Sequence, residues 1–366
     1  MNNKNIAFLL PGRDLNPVGG YKIIYEYANK FIDEGYNISL IYPYIQKSYN
    51  KTNESTIKKV KQFCGFILKK HFNLLKAGEW FPLRNEIQKE FIFQFSDKYI
   101  KKFINYKIIA TAVNTAYELN ESKLIDIKNR FYFIQDFETW NNFTEEMVYS
   151  SYKFPLKKIT ISPWLQEKVN KVSEEAILVP NGFDFNYFKL LTPIEKRCST
   201  EIAMLYHLDN RKRCCDSIAA LELVKQQIPN LHVSMFGVPD KPNFIPNWIS
   251  YYQKPNKDLH NKIYNKAAIY IAASEKEGFG LTVGEAMICG CAIACTNNEG
   301  FSFFVKNKTT GLLSNVYDIK ALATNIIELI NNDELRIKIA KNGNEYIKKF
   351  TGEKAFNLFK NAIYKL

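Results

Sequence analysis

One stretch, residues 267–296, constrains the fold more than any other. It runs from an apolar segment, AAIYIAAS (267–274), through a turn with glycines at 278 and 280 and helical periodicity over about 281–289, into a second apolar segment, CAIACT (291–296). Short apolar runs bounded by turn signals read as strands. A strand, a glycine turn, a helix and a strand make a parallel crossover unit, the building block of doubly wound α/β domains. The same alternation appears elsewhere. In the first half, IAFLLP (6–11) and YNISLIYP (36–43) flank a helix over 19–35 whose period runs through Ile23, Ile24, Tyr27, Ala28 and Phe31. KIIATAV (107–113), RFYFIQ (130–135) and KKITIS (157–162) are further strand candidates. In the second half come EIAMLYH (201–207), a helix over 212–227 and LHVSMFG (231–237), with closing helices over 319–329, 333–350 and 353–364.

At 366 residues the chain exceeds one comfortable core and fits two domains. The pattern breaks at AILVPNGFD (176–184), where a strand ends in a Pro-Asn-Gly turn and a polar stretch with Pro193 follows, so the linker is expected there. With 46% hydrophobic and 24% charged residues the composition is globular rather than disordered. The longest apolar stretches, 6–11 and 267–273, are far below the roughly 20 residues that span a bilayer. The N-terminus lacks a secretory leader pattern, and a cytoplasmic location is expected. Seven cysteines without C-x-x-C spacing read as reduced thiols rather than a disulfide or zinc framework.

The net charge of +13 calls for an anionic partner, which charge alone does not identify. Much of the excess lies in 47–107, where KKVKQFCGFILKKHFNLLKAGEWF interleaves lysines with Phe63, Phe66, Ile67, Leu74, Leu75, Trp80 and Phe81. That mixture suits either a helix lying on an anionic membrane surface or a solvated basic face over a core. Nucleic acid is not expected as a partner, because no helix-turn-helix, zinc or aromatic RNA-binding pattern accompanies the charge.

Chemistry concentrates between Ser274 and Gly290, where the chain leaves a strand's carboxyl end, the ligand-binding edge of open parallel sheets. Gly278 and Gly280 let backbone approach a ligand, and the helix that follows offers amide groups and a positive dipole end suited to a diphosphate. Glu277 and Glu285, with seven residues between them, can accept hydrogen bonds from sugar and ribose hydroxyls on either side of it. Thr282-Val-Gly-Glu285 also fits a capping box, a structural alternative for Glu285. Gly284, costly inside a first helical turn, points to close packing against something.

This segment resembles the E-x7-E signature of the retaining GT-B glycosyltransferases of family 4, the glycosyl transferases group 1. The pattern S-x-x-E-G-x-G-x-x-x-x-E-A-M-x-x-G is met at Ser274, Glu277, Gly278, Gly280, Glu285, Ala286, Met287 and Gly290. The resemblance implies a GT-B fold, in which two Rossmann-like doubly wound parallel-sheet α/β domains face each other across a cleft. It assigns 1–180 to an acceptor-side domain with a basic helical insertion at 45–105, 181–348 to a nucleotide-sugar-binding domain, and 349–366 to a helix packing back on the first domain. It also implies that Glu277 lies beside the transferred sugar, that Glu285 holds the ribose, and that the amides of Phe279, Gly280, Leu281 and Thr282 bind the diphosphate.

Gly19-Gly20 resembles the family's glycine loop facing the donor phosphates, and Pro180-Asn181-Gly182-Phe183-Asp184 its hinge element. Thr310-Gly311-Leu312-Leu313 resembles a late turn that serves packing. The family's R-x4-K-G pattern aligns with 207–213: Lys212 takes the lysine position, His207 stands where arginine is usual, and Arg213 replaces glycine. A cation must offset the departing diphosphate, and the second one is Arg211, Arg213 or protonated His207. After the strand at 130–135, Gln135, Asp136 and Glu138 are candidates for sugar or acceptor contact, with helix capping an alternative for Asp136. Lys254 closes a stretch, 251–254, near which the nucleotide base is expected. Glu277, Lys212 and Asp136 are the candidate catalytic groups. No Asp-x-Asp motif occurs, so the expectation is no metal and no cofactor, with backbone dipoles and Lys212 standing in for Mg²⁺. The expected reaction moves a sugar from a nucleoside-diphosphate sugar, a UDP-sugar favoured, to a glycan or lipid-linked acceptor in cell-surface polysaccharide synthesis at the inner membrane face. The alternatives are a nucleotide-sugar epimerase of GT-B fold and a basic nucleic-acid-binding protein.

Overall fold

The computed structural model describes residues 4–47, 49, 56–140, 142–173 and 175–364. Positions 48 and 50–55 of the basic insertion lie outside the described residues. The chain divides into two compact units, one running to Val179 and taking in the stretch from Phe356 onward, the other being Pro180–Ala355.

In the first unit β1 (Asn5–Leu9), α1 (Gly19–Asp33) and β2 (Asn37–Pro43) form the first crossover, followed by α2 (Thr56–His71) and β3 (Gln88–Ile92). Then come β4 (Lys107–Ala110), α3 (Val113–Glu121), β5 (Arg130–Ile134), α4 (Glu145–Tyr152), β6 (Lys157–Thr160), α5 (Pro163–Asn170) and β7 (Ile177–Leu178). The strands form one parallel sheet in the order β3-β2-β1-β4-β5-β6-β7. Ile6, Ala7, Phe8 and Leu9 of β1 are fully enclosed, and α1 covers the sheet with Ile23, Ile24, Tyr27, Ala28 and Phe31. The 107–113 strand stops at Ala110 because Thr115 Oγ1 accepts the N–H groups of both Thr111 and Ala112, each at 2.9 Å, and starts α3 instead.

The insertion at 45–105 is not purely helical, which corrects the sequence reading. Gln88–Ile92 is an edge strand paired with β2. Its QKEFI sequence carries charges instead of a long apolar run, as sheet edges often do.

The second unit contains β8 (Glu201–Tyr206), α6 (Cys214–Gln227), β9 (His232–Gly237), β10 (Ile249–Gln253), α7 (Lys257–Lys266) and β11 (Ile269–Ala272). α8 (Leu281–Ile288), β12 (Ala292–Thr296), β13 (Leu312–Ser314), α9 (Ile319–Asn331) and α10 (Asp333–Ile347) complete it. Its sheet is also parallel, in the order β10-β9-β8-β11-β12-β13. The final helix, α11 (Gly352–Tyr364), sets Phe359 against Tyr27 and Phe133, with ring centroids 4.6 and 5.0 Å away, and Phe356 against Phe31 at 4.7 Å.

Each sheet reverses its winding beside its first strand, between β1 and β4 and between β8 and β11. The crevice outside the carboxyl ends of such a strand pair is where open α/β sheets bind ligands. Among the described residues, no helix is long and apolar enough to cross a membrane.

Candidate active site

In the second unit the two loops at the switch point, residues 207–213 after β8 and 273–280 after β11, are joined by a hydrogen bond from the Glu275 N–H to the Arg211 carbonyl at 2.8 Å. Lys212 Nζ donates to Glu277 Oε2 at 2.6 Å, and Ser274 Oγ donates to Glu277 Oε1 at 2.7 Å. Both oxygens of Glu277 are thereby fixed, although the residue retains 8% exposure and Lys212 a quarter of its side-chain surface. Charge-assisted bonds of this length hold a carboxylate firmly while an edge stays open to a ligand. The β12 exit supports the loop from beneath: Asn298 Nδ2 donates to the Ser274 carbonyl at 3.0 Å, and Thr296 Oγ1 donates to the same oxygen. Gly300 lies so close to the Glu277 backbone that any side chain there would overlap it. Sequence reasoning placed Ser274 only as a motif position and missed Thr296, Asn298 and Gly300, for which Asn297-Asn298-Glu299-Gly300 gives no more than a turn signal.

The start of α8 is set by Gly280, whose φ of +92° is left-handed and whose Cβ would sit 2.6 Å from the Phe301 ring. Only glycine meets both demands. The N–H groups of Leu281, Thr282 and Val283 then occupy the positive end of the helix, where no intrahelical acceptor exists. Thr282 lies inside the helix rather than at its cap, so the capping-box alternative for Glu285 does not apply. Glu285 is buried, with Tyr264 Oη donating to its Oε2 at 3.4 Å. Phe279 is buried among the rings of Phe183, Phe303 and Phe304, so a ligand can meet only its backbone. Gly278 beside it is buried as well.

Gly284 owes its identity to packing, because a Cβ there would penetrate the Phe183 ring. The Pro180–Asp184 turn that presents this ring is clamped by bonds from Phe183 N–H to the Phe350 carbonyl at 2.9 Å and from Gly352 N–H to the Phe183 carbonyl at 3.1 Å. Gly284→Ala is therefore expected to destabilise the fold by about 1–3 kcal/mol through overpacking, seen as a lower Tm. An unchanged Tm would contradict this packing.

The three candidate second cations have separate positions. Arg211 forks onto Asp209, with Nη2 to Oδ2 at 2.7 Å and Nε to the same oxygen at 3.1 Å. Arg213 forks onto Asp216 at 2.8 and 3.0 Å, its guanidinium 4.9 Å from the Tyr317 ring centroid. Its φ of +46° explains why glycine suits this place in the resembled pattern: the backbone is left-handed, a strain of about 1–2 kcal/mol for other residues. His207 Nδ1 accepts the Asp209 N–H at 2.9 Å, which places the ring proton on Nε2. The protein packed around the ring, and secondly the nearby Lys212 ammonium, hold its pKa below the usual imidazole value. Both effects weigh against the protonated-His207 alternative. Lys254 follows β10, two strands from β8, with its N–H bonded to the Gly237 carbonyl at 2.7 Å.

In the first unit Gly19 and Gly20 open α1, and a Cβ on Gly20 would lie 3.3 Å from Gln135 Nε2, so the glycine pair and Gln135 are neighbours. Asp136 Oδ1 accepts the adjoining Phe137 N–H at 2.8 Å, while Thr144 caps α4. Glu138 Oε2 accepts the Val113 N–H at 3.0 Å, and so serves the start of α3, a duty the sequence reading did not assign. Among the described residues, no three His, Cys, Asp or Glu side chains gather as a metal-holding group.

Residues 196–346, most of the second unit, match the family model for glycosyl transferases group 1. The chain is 37% identical over 89 residues to an uncharacterized glycosyltransferase, MJ1178, of Methanocaldococcus jannaschii, covering 24% of this chain and 25% of that protein. It is 25% identical over 202 residues to the capsular polysaccharide biosynthesis glycosyltransferase CapM of Staphylococcus aureus, covering 51% and 53%. The chain thus spans between a quarter and about half of the length of these curated relatives. Among solved structures, Anabaena HepE in complex with UDP-glucose superposes with a TM-score of 0.71 at 16% identity, over 99% of this chain and 100% of that one. At that identity the likeness speaks for fold: two parallel-sheet α/β domains of the GT-B class, the second carrying the match to glycosyl transferases group 1.

Proposed function

We propose that this chain is a retaining glycosyltransferase of the family 4 type. It moves a sugar from a nucleoside-diphosphate donor, a UDP-sugar foremost, to a hydroxyl of a glycan or lipid-linked acceptor in cell-surface polysaccharide synthesis. The observation that carries this reading is the Lys212–Glu277 pair at the sheet's switch point, beside the amide end of α8. In this scheme the diphosphate lies on the amides of Leu281, Thr282 and Val283, and Lys212 offsets the negative charge that grows as it leaves. Glu277, held by Ser274, accepts hydrogen bonds from the transferred sugar, and Glu285 does so from the ribose.

The acceptor oxygen attacks the anomeric carbon from the face that the nucleotide leaves. The bond from that carbon to the diphosphate oxygen breaks, its electron pair stays with the nucleotide, and the acceptor proton passes to a phosphate oxygen. No protein nucleophile takes part. His207 donates through Nε2 rather than as a cation. In the first unit, Gln135, beside the Gly19-Gly20 pair, and Asp136 are the groups assigned to acceptor hydroxyls. The names of HepE's bound UDP-glucose and of CapM's capsular polysaccharide support the donor and pathway class.

Neither metal nor cofactor is required, because Lys212 and the α8 dipole supply the positive charge. The test is turnover of UDP-sugars by the full chain in a chelator, with product configuration read by NMR. Retained configuration and undiminished turnover are expected. An inverted product, or activity lost to the chelator and restored by Mg²⁺ or Mn²⁺, would overturn the corresponding part.

A further inference from the structure

α2 stands out from the first unit with little of its surface covered. Phe66, 3% exposed, is its one buried residue among those described, and it packs with Leu75 and Phe93. On the opposite face Ile57 is 70%, Val60 56% and Leu68 58% exposed, with Ile67 beside them and Phe72 and Leu74 exposed just beyond the helix. At 3.6 residues per turn, Ile57, Val60, Ile67 and Leu68 form one outward stripe. Five of the sixteen residues of α2 are lysine and none is acidic, nor does an acid follow before Glu79.

The orientation of this face is fixed. Lys70 Nζ donates to the Phe91 carbonyl at 2.9 Å, and the returning chain is anchored where Trp80 Nε1 and Tyr25 Oη both donate to the buried Asp14 carboxylate at 2.5 Å. With Phe66 buried beneath, the helix presents its aliphatic stripe outward.

We propose that the outward face of α2, continued by Phe72 and Leu74, docks on the surface of an anionic phospholipid bilayer. Charge and shape both argue for this occupant. A bilayer interface takes aliphatic side chains at the headgroup boundary while its acidic lipids pair with flanking lysines. Nucleic acid would satisfy the lysines and leave Ile57, Val60 and Leu68 in water. A second copy of the chain would set lysine against lysine.

The test is co-sedimentation of the full chain with vesicles of phosphatidylcholine, alone and mixed with phosphatidylglycerol. Binding is expected to be about tenfold stronger with phosphatidylglycerol and to fall as salt is raised. An Ile67→Glu/Leu68→Glu double variant is expected to lose at least about tenfold in binding while keeping the wild-type Tm. Equal binding to both vesicles, or a double variant that binds like wild type, overturns the proposal. So does a loss in the variant of self-association or RNA retention in place of vesicle binding. Vesicle binding is read without a donor, so this proposal and the sugar-transfer reading stand or fall separately.

Discussion

Glu277→Gln is expected to lower kcat for sugar transfer by about 10²–10³-fold while leaving the fold and nucleotide binding close to wild type. The substitution keeps the shape that fills the space above Gly300 and an oxygen for Ser274 to donate to. It removes the charge that orients Lys212 and the acceptor capacity offered to a sugar hydroxyl. The measurement is steady-state kinetics alongside thermal unfolding. A variant with wild-type kcat would show that the carboxylate is only a structural partner of the lysine.

Lys212→Ala is the second large effect expected, a fall of about 10²–10³-fold in kcat/KM, because the departing diphosphate loses the cation that is paired with Glu277. Its loss also strands the Glu277 carboxylate, 8% exposed, beside Ser274. The two residues act as a unit, so the Lys212→Ala/Glu277→Gln double variant is expected to lose much less than the product of the single losses. Full additivity would mean that each acts on the substrate independently of the other. Rescue by Arg211 or Arg213 is not expected, since both are forked onto their own aspartates.

How far the sequence revealed this site depends on the range over which each constraint acts. Residues 267–296 were legible because an apolar strand, a glycine turn and a helix are written contiguously. The edge strand β3 was obscured because its polar QKEFI carries no apolar run. The competing readings of Glu285 differ only in where α8 begins, and spacing does not decide that; the left-handed Gly280 does. Arg213 and Asp216 stand at i, i+3, a pairing that local sequence permits, whereas the Arg211–Asp209 fork depends on the turn between β8 and α6. Gly300 touches Glu277 from 23 residues away, and the Phe183–Gly284 contact spans a still longer loop, so neither has a local signature. In the first unit, Glu138's bond to Val113 depends on two loops meeting at one sheet edge, which a linear reading does not supply.

In the proposed reading the β11–α8 turn and Lys212 form a diphosphate seat. A crystal structure of the chain with UDP would locate that seat. The diphosphate is expected within hydrogen-bonding distance of the Leu281, Thr282 and Val283 amides and of Lys212 Nζ, with the ribose at Glu285. UDP bound away from the α8 N-terminus, or seated there with Lys212 contacting only Glu277, would contradict it.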